Sequence, residues 1–262
     1  MGVLNVTPDS FYDGGRFLQE KKIVEQAEKM LNEGAALLDV GGYSSRPGAS
    51  EVPLGEELTR VVAAVKAIKK NFPQSIISID TFRSVVAKAA YDEGAQLIND
   101  ISGGSLDEAM FKTVAELDVP YVCMHMRGNP STMNSMASYD NLLFEVVTYF
   151  HKKIYAMQSA GIKDIIIDPG FGFAKTVKQN FQLLNGLDHF RIFQKPLLVG
   201  LSRKSMIWKT LSTDPEQALN GTTALNMAAL MKGANILRVH DVKEAVETIK
   251  LFSRIAQPAV GV

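Results

Sequence analysis

Eight short apolar runs, each followed by a longer amphipathic stretch, constrain this chain more than any other feature. The runs are Met1–Asn5, Ala36–Val40, Ser75–Asp80, Ala95–Asn99, Pro120–His125, Asp164–Asp168, Pro196–Leu201 and Asn235–Val239. They are rich in Val, Ile and Leu and do not alternate strictly, which suits parallel strands buried on both faces. Helical spacing fills the intervals at Leu18–Asn32, Gly55–Asn71, Thr81–Glu93, Leu106–Leu117, Tyr139–Ala160, Val177–Leu187, Asp214–Lys232 and Val242–Ile255. Four helical stretches stop at a glycine just before the next strand, at Gly34, Gly94, Gly161 and Gly233. Eight strand–helix units in 262 residues predict an α/β chain forming a single (β/α)8 TIM barrel over residues 1–262. An open doubly wound sheet is the alternative. It usually carries a phosphate-binding loop, and neither G-x-G-x-x-G nor G-x-x-x-x-G-K-[ST] occurs here.

Composition narrows the function classes. Lys and Arg total 28 and so do Asp and Glu, so the balance favours neither a nucleic acid nor a membrane surface. No apolar stretch approaches the roughly 18 residues of a membrane span, and no leader pattern opens the chain. One cysteine, Cys123, excludes an internal disulfide and fits a reducing compartment, most simply the cytoplasm. A strand beginning at Met1 leads to the expectation that native residues precede it.

In a barrel of this kind chemistry gathers where the strands end. The endings are Asn5; Asp39 followed by GGYSSRPGAS; Asp80; NDISGG (99–104); MHMRGNPSTM (124–133); DPGFGF (168–173); LSRKS (201–205); and RVHD (238–241). All eight are polar, charged or glycine-bearing, more than helix caps alone explain. Asp100, Asp107 and Asp241 suit caps as well as a site, and Asp39 suits a structural hydrogen-bonding role in the mouth. Asp80, Asp168 and Asn99 supply acceptors and an amide able to read the N–H and NH2 edge of a heterocycle. Arg46, Arg203, Lys204, Arg238 and His240 supply positive charge and donors for an anion such as phosphate. No Cys/His cluster suggests zinc. Oxygen ligands with a bound diphosphate suit Mg2+, and Asn5 is placed either for that or as a strand-end cap. Cys123, His125 and Trp208 read as packing or scaffold residues, and His151 and His189 as surface residues.

Taken in order, MGVLNVTPDSF, DVGGYSSRPGA, SIDTF, LINDISGG, CMHMRGNPSTM, DPGFGFAK, GLSRKSMI and ILRVHDV cover essentially the whole chain. Together they resemble bacterial dihydropteroate synthase, within the wider pterin-binding barrels. The Thr-Pro-Asp-Ser-Phe and Ser-Arg-Lys-Ser segments favour the synthase over the methyltetrahydrofolate methyltransferases. The resemblance implies condensation of dihydropterin-6-ylmethyl diphosphate with 4-aminobenzoate, releasing diphosphate. It implies a pterin edge held by Asp80, Asn99 and Asp168, and a pterin pocket lined by Met124 and Phe173. Lys204 would bond the ring, Ser205 would contact the 4-aminobenzoate carboxylate, and Phe11 and Pro47 would meet its ring. Ser45, Arg46, Arg238 and His240 would hold the diphosphate, with Arg238 also stacking on the pterin, and Asn5 would bind Mg2+. Asp80, Lys204 and Arg238 are the expected catalytic residues. A homodimer through the last helices is implied too. One departure stands out: Tyr43 occupies a position where the family commonly has Glu, so no charge role is assigned there. A binding-only relative would have lost Asn5, Arg46, Lys204 or Arg238, and all four are present.

Overall fold

The computed structural model describes residues 1–7, 16–43 and 51–256. Among them are eight parallel strands: β1 (Gly2–Asn5), β2 (Leu38–Gly41), β3 (Ile77–Asp80), β4 (Leu97–Asp100), β5 (Tyr121–Met124), β6 (Ile165–Asp168), β7 (Leu198–Val199) and β8 (Ile236–Leu237). β1 to β6 pair in sequence order, and β7 pairs with β8. Parallel bridges between Ile167 and Leu197 and between Gly2 and Val239 close the ring. The strands are shorter than the apolar runs, most of all β7 and β8. Each run also contains the turn residues that carry the chain from helix into strand.

The helices wrap the outside: α1 (Arg16–Asn32), α2 (Leu54–Asn71), α3 (Ser84–Asp92), α4 (Met110–Leu117), α5 (Leu142–Ser159), α6 (Val177–Asn185), α7 (Ser205–Thr210), α8 (Leu219–Met231) and α9 (Val242–Ala256). The six-residue α7 was not foreseen, because it is too short to show periodicity. The stretch predicted as one helix over Asp214–Lys232 divides into a 3-10 turn at Pro215–Gln217 and α8. The predicted helix over Leu106–Leu117 starts only at Met110, after a turn in which Asp107 accepts from the Ala109 amide.

The repeated glycine stops form one device used four times. Gly34, Gly94, Gly161 and Gly233 sit at φ of +97°, +104°, +96° and +105°. The following residue donates to the carbonyl five positions back, as in Ala35 to Met30 (2.9 Å) and Ala234 to Ala229 (3.0 Å). This is the Schellman ending, and glycine occupies it because a Cβ disfavours left-handed backbone.

Strand side chains divide by parity. Leu4, Leu38, Val40, Ile77, Ile79, Ile98, Tyr121, Cys123, Ile165, Ile167, Val199, Leu237 and Val239 join the main core against the helices. Leu97, Val122, Ile166 and Leu198 form a separate cluster with Met1 and Ile236. Those six are the inward set, and they plug the N-terminal end of the barrel. Each fully buried Leu or Ile contributes about 1.5–3 kcal/mol, so the strands are held firmly and their inward-facing ends are placed with little freedom.

Candidate active site

One step further along the strands the inward positions turn mostly polar, with Gly41 and the apolar Met124 among them. They are Asn5 on β1, Asp39 and Gly41 on β2, Ser78 and Asp80 on β3, Asn99 on β4, Met124 on β5, Asp168 on β6 and Arg238 after β8. Pairing register places Asn5 beside Gly41, Gly41 beside Asp80, Asp80 beside Asn99, and Met124 beside Asp168. The expected pterin-edge residues and Arg238 thus converge at one mouth because they share the parity of the plug below.

A buried carboxylate organises this layer. Asp39 is 0% exposed and accepts from Ser78 Oγ at 2.5 Å, Asn99 Nδ2 at 2.9 Å and Arg238 Nε at 2.6 Å. The other end of the guanidinium donates from Nη2 to Asp80 Oδ2 at 2.6 Å. The Asp80 side chain is 12% exposed, so the outer carboxylate opens to the mouth while the inner one does not. Burial pushes Asp80 above the usual carboxylate range, Arg238 opposes the shift, and the Asp39 charge adds to it. Asp39 takes the structural option left open by the sequence, but at the centre of the site. The missed signal was its period-2 registration with Asp80, Asn99 and Arg238.

The loop after β6 forms the opposite wall. Asp168 Oδ1 accepts from the Gly170 amide at 2.8 Å. Burial raises its pKa, with Lys204, the Gly170 amide, Arg238 and Lys175 pulling the other way. Gly170 has φ +72°, and a Cβ there would come 2.0 Å from the His125 carbonyl oxygen, so only glycine fits. Lys204 donates to the Phe171 carbonyl, and its ammonium lies 4.7 Å from the centre of the Phe173 ring. Burial lowers Lys204 to about 8. Met124 and Phe173 share an apolar patch with Ile101, Phe82, Met126, Met133 and Ala174, as expected for the flat face of a heterocycle.

The remaining expected residues divide clearly. Ser205 opens α7 directly after Lys204, and His240 Nδ1 lies 3.0 Å from Ser202 Oγ. Asn5 Oδ1 and Asp80 Oδ2 both lie 3.6 Å from the point a Cβ on Gly41 would occupy, so they border one small hollow. Phe11, Ser45, Arg46 and Pro47 lie outside the described residues. Arg203, expected among the anion-binding donors, instead pairs through two nitrogens with Asp241 at 3.0 and 2.7 Å. Asp100 accepts from the Ser102 and Gly104 amides and from the Tyr121 hydroxyl, which makes it a turn-holding residue. Asp107 receives the amide of Ser84, the first residue of α3, on Oδ2 and the amide of Ala109, just before α4, on Oδ1, so it holds two helix starts. Cys123 is buried, with its thiol pushed up to about 12, and His151 and His189 are exposed. Tyr43 meets Phe82 edge-on, with ring centres 5.0 Å apart, under the Arg83 guanidinium. Arg83 also holds the fully buried Glu57 at 2.8 Å and the Val52 carbonyl at 2.9 Å. That clamp was not foreseen.

Known proteins share this fold. Residues 1–240 match the family model described as pterin binding enzyme. The dihydropteroate synthase of Escherichia coli K12 is 46% identical over 253 residues, which is 96% of this chain and 89% of that protein. The Yersinia pestis dihydropteroate synthase, solved as a sulfonamide drug complex, superposes with a TM-score of 0.91 at 42% identity, covering 97% of this chain and 93% of its own. The Xanthomonas albilineans enzyme, solved with 4-aminobenzoic acid, gives a TM-score of 0.91 at 39% identity, covering 98% and 93%. With the barrel closed, its polar ring in place and the match running almost end to end, the chain belongs to the dihydropteroate synthase family of pterin binding enzymes.

Proposed function

We propose that the mouth of this barrel joins (7,8-dihydropterin-6-yl)methyl diphosphate to 4-aminobenzoate, forming 7,8-dihydropteroate and diphosphate. The observation that carries the reading is the convergence of Asp80, Asn99 and Asp168 with Lys204 and Arg238 on one face. Acceptors suited to the amino-pyrimidine edge stand beside cations suited to diphosphate. Met124 and Phe173 offer the flat apolar surface between them.

The chemistry follows from the charges. The bond between the pterin methylene carbon and the diphosphate oxygen breaks, and its electron pair leaves with the oxygen. The carbon left behind is electron-poor, and the carboxylates of Asp80 and Asp168 stabilise the positive charge delocalised into the ring. The aniline nitrogen then attacks that carbon and releases one proton to water. No strong base is required of the protein, consistent with His125 held neutral in the interior, its pKa lowered to about 2 by burial. Anchored by Nε on Asp39, Arg238 can exchange its Asp80 contact for the substrate without losing its place. Lys204 caps the Phe171 carbonyl and presents a cation over Phe173 at the ring site. Ser205 and His240 complete the list of substrate contacts from the last two strands. The resemblance implies that the second-substrate and diphosphate sites also draw on Phe11, Ser45, Arg46 and Pro47, which stay part of the proposal.

The donors present fit Mg2+, since an amide oxygen at the hollow over Gly41 is a hard ligand and the substrate diphosphate can supply most of the rest. Asn5 would hold the ion, whose chemistry is to neutralise charge on the departing diphosphate. Asn5→Ala should raise the Mg2+ concentration giving half-maximal rate, and an unchanged Mg2+ dependence would remove Asn5 from that role. We assign residues 1–262 to one such catalytic unit. A homodimer through the C-terminal helices is supported by Met231, Leu251 and Ile255, which are 60–63% exposed on α8 and α9. Sedimentation of the wild type as a monomer at micromolar concentration would dismiss it. A cytoplasmic setting is supported by the single buried thiol, and among the described residues no helix is long and apolar enough to cross a membrane.

The test is turnover of the two substrates with Mg2+, following dihydropteroate formation and diphosphate release together. Dependence of dihydropteroate formation on 4-aminobenzoate, with a sharp fall in Lys204→Ala, supports the reading. Pterin binding without any coupled product would leave only a binding protein.

A further inference from the structure

Lys175 is a buried cation that the mechanism above does not use. Only 8% of the residue is exposed, and its Nζ has three acceptors at 3.0 Å: His125 Nδ1, the Gly170 carbonyl and the Phe173 carbonyl. An ammonium has three hydrogens, so the set is complete only when Lys175 is protonated, which holds below the value of about 7 to which burial lowers it, and when His125 carries its hydrogen on Nε2. The loop it grips takes left-handed backbone at three positions, and at one of them against the preference of its residue. Gly170, Gly172 and Ala174 stand at φ of +72°, +80° and +49°, the last in spite of its Cβ. Asn180 holds the same loop from α6, accepting from the Gly172 amide at 2.7 Å and donating to the Lys175 carbonyl at 3.2 Å. Such a backbone persists only where its surroundings over-determine it. The loop carries Asp168 at one end and Phe173 at the other.

We propose that Lys175 is a positioning residue for the pterin substrate, closing the 168–173 loop so that Asp168 meets the heterocycle edge and Phe173 its face. Lys175 ties the turn at both of its carbonyl corners and fastens it through His125 to the end of β5, next to Met124. The backbone supports the same tie, because the His125 amide donates to the Asp168 carbonyl at 2.9 Å. One cation therefore joins the acidic edge contact and the two apolar face contacts into a single rigid frame. Its charge also stands near Asp168, together with those of Lys204 and Arg238. The inference rests on the assignment of Asp168, Met124 and Phe173 to the pterin.

Steady-state kinetics of Lys175→Met and Lys175→Arg, beside Asp168→Asn and the wild type, tests it. Lys175→Met should raise the pterin KM on the order of tenfold or more, while the 4-aminobenzoate KM stays near the wild-type value. Lys175→Arg keeps the charge but cannot place three donors on the same acceptors, and should recover only part of the loss. Nitrogen NMR of His125 in the wild type provides a readout that does not depend on the variants folding. At pH 6, where Lys175 is charged, the geometry requires an unprotonated Nδ1 and a protonated Nε2, with no imidazolium formed down to pH 5. An unchanged pterin KM in a folded Lys175→Met protein, or a His125 protonated on Nδ1, would overturn the inference. If Asp168→Asn also leaves the pterin KM unchanged, the pterin reading itself fails. If only the Lys175 variants do so, the positioning role alone is withdrawn.

Discussion

Replacing Asp39 by Asn separates charge from shape at the centre of the site. Asn has nearly the same volume, so no cavity opens. Its amide oxygen can take the place of Oδ2, which now accepts from both Asn99 Nδ2 and Arg238 Nε. Its NH2 then faces Ser78 Oγ, a hydroxyl that can accept as well as donate. What is lost is the negative charge opposite a guanidinium at 2.6 Å in a fully buried position. A hydrogen bond to a charged partner contributes about 1.5–3 kcal/mol. Arg238 keeps Asp80 as its second carboxylate, so the loss belongs near the lower end of that range. About 2 kcal/mol corresponds to a fall of roughly thirtyfold in kcat/KM. The effect should fall on the pterin, because an Arg238 no longer balanced between two carboxylates leans on Asp80 and competes with the substrate there. Kinetics with each substrate varied in turn, and calorimetric unfolding of the same protein, give both quantities. Wild-type kcat/KM for the pterin in a folded Asp39→Asn protein would refute the reasoning, as would an equal loss for both substrates.

Arg238→Lys keeps a cation but cannot span Asp39 and Asp80 at once, so kcat should fall about a hundredfold, and near-wild-type turnover would show that bridging is unimportant. Lys204 is held down to about 8 by burial, so its ammonium is present below that pH and lost above it. The pterin kcat/KM should therefore decline through a basic limb between pH 7 and 8, to which Lys175, lowered to about 7, also contributes, and a profile flat to pH 10 would exclude Lys204 from binding. Tyr121→Phe removes the 2.6 Å hydrogen bond to Asp100 and should cost about 1–3 kcal/mol of stability while leaving both KM values unchanged, since Asp100 holds a turn rather than substrate. A thermal melt with parallel kinetics checks this, and a selective rise in either KM would contradict the structural assignment.

The barrel was legible because its signals are local and repeated. Apolar runs of strand length, helical periodicity and four glycine stops each have one inexpensive structural solution. The site was legible as a set of strand endings, since a parallel barrel brings them together without help from other features. What escaped notice depends on contacts distant in sequence. Asp39 binds Arg238 across 199 positions, and Glu57 on α2 reaches Arg83 in the loop before α3. Arg203 looked like an anion-binding residue from its neighbours, yet Asp241 claims it through a fork that no spacing rule announces. Lys175 sat inside a recognised segment but had no role until its three acceptors were visible. The short α7 fell below the length at which periodicity can be read, whereas β7 and β8 lie inside their apolar runs but are only two residues long.

The most direct measurement is equilibrium binding of the dihydropterin diphosphate to the wild type and to Asp168→Asn, followed by pterin fluorescence with Mg2+ present and 4-aminobenzoate absent. A pterin edge read by a carboxylate in the barrel mouth predicts saturable binding to the wild type, weakened on the order of a hundredfold in a variant that folds normally. Equal affinity for the two proteins would place the heterocycle elsewhere and contradict the account.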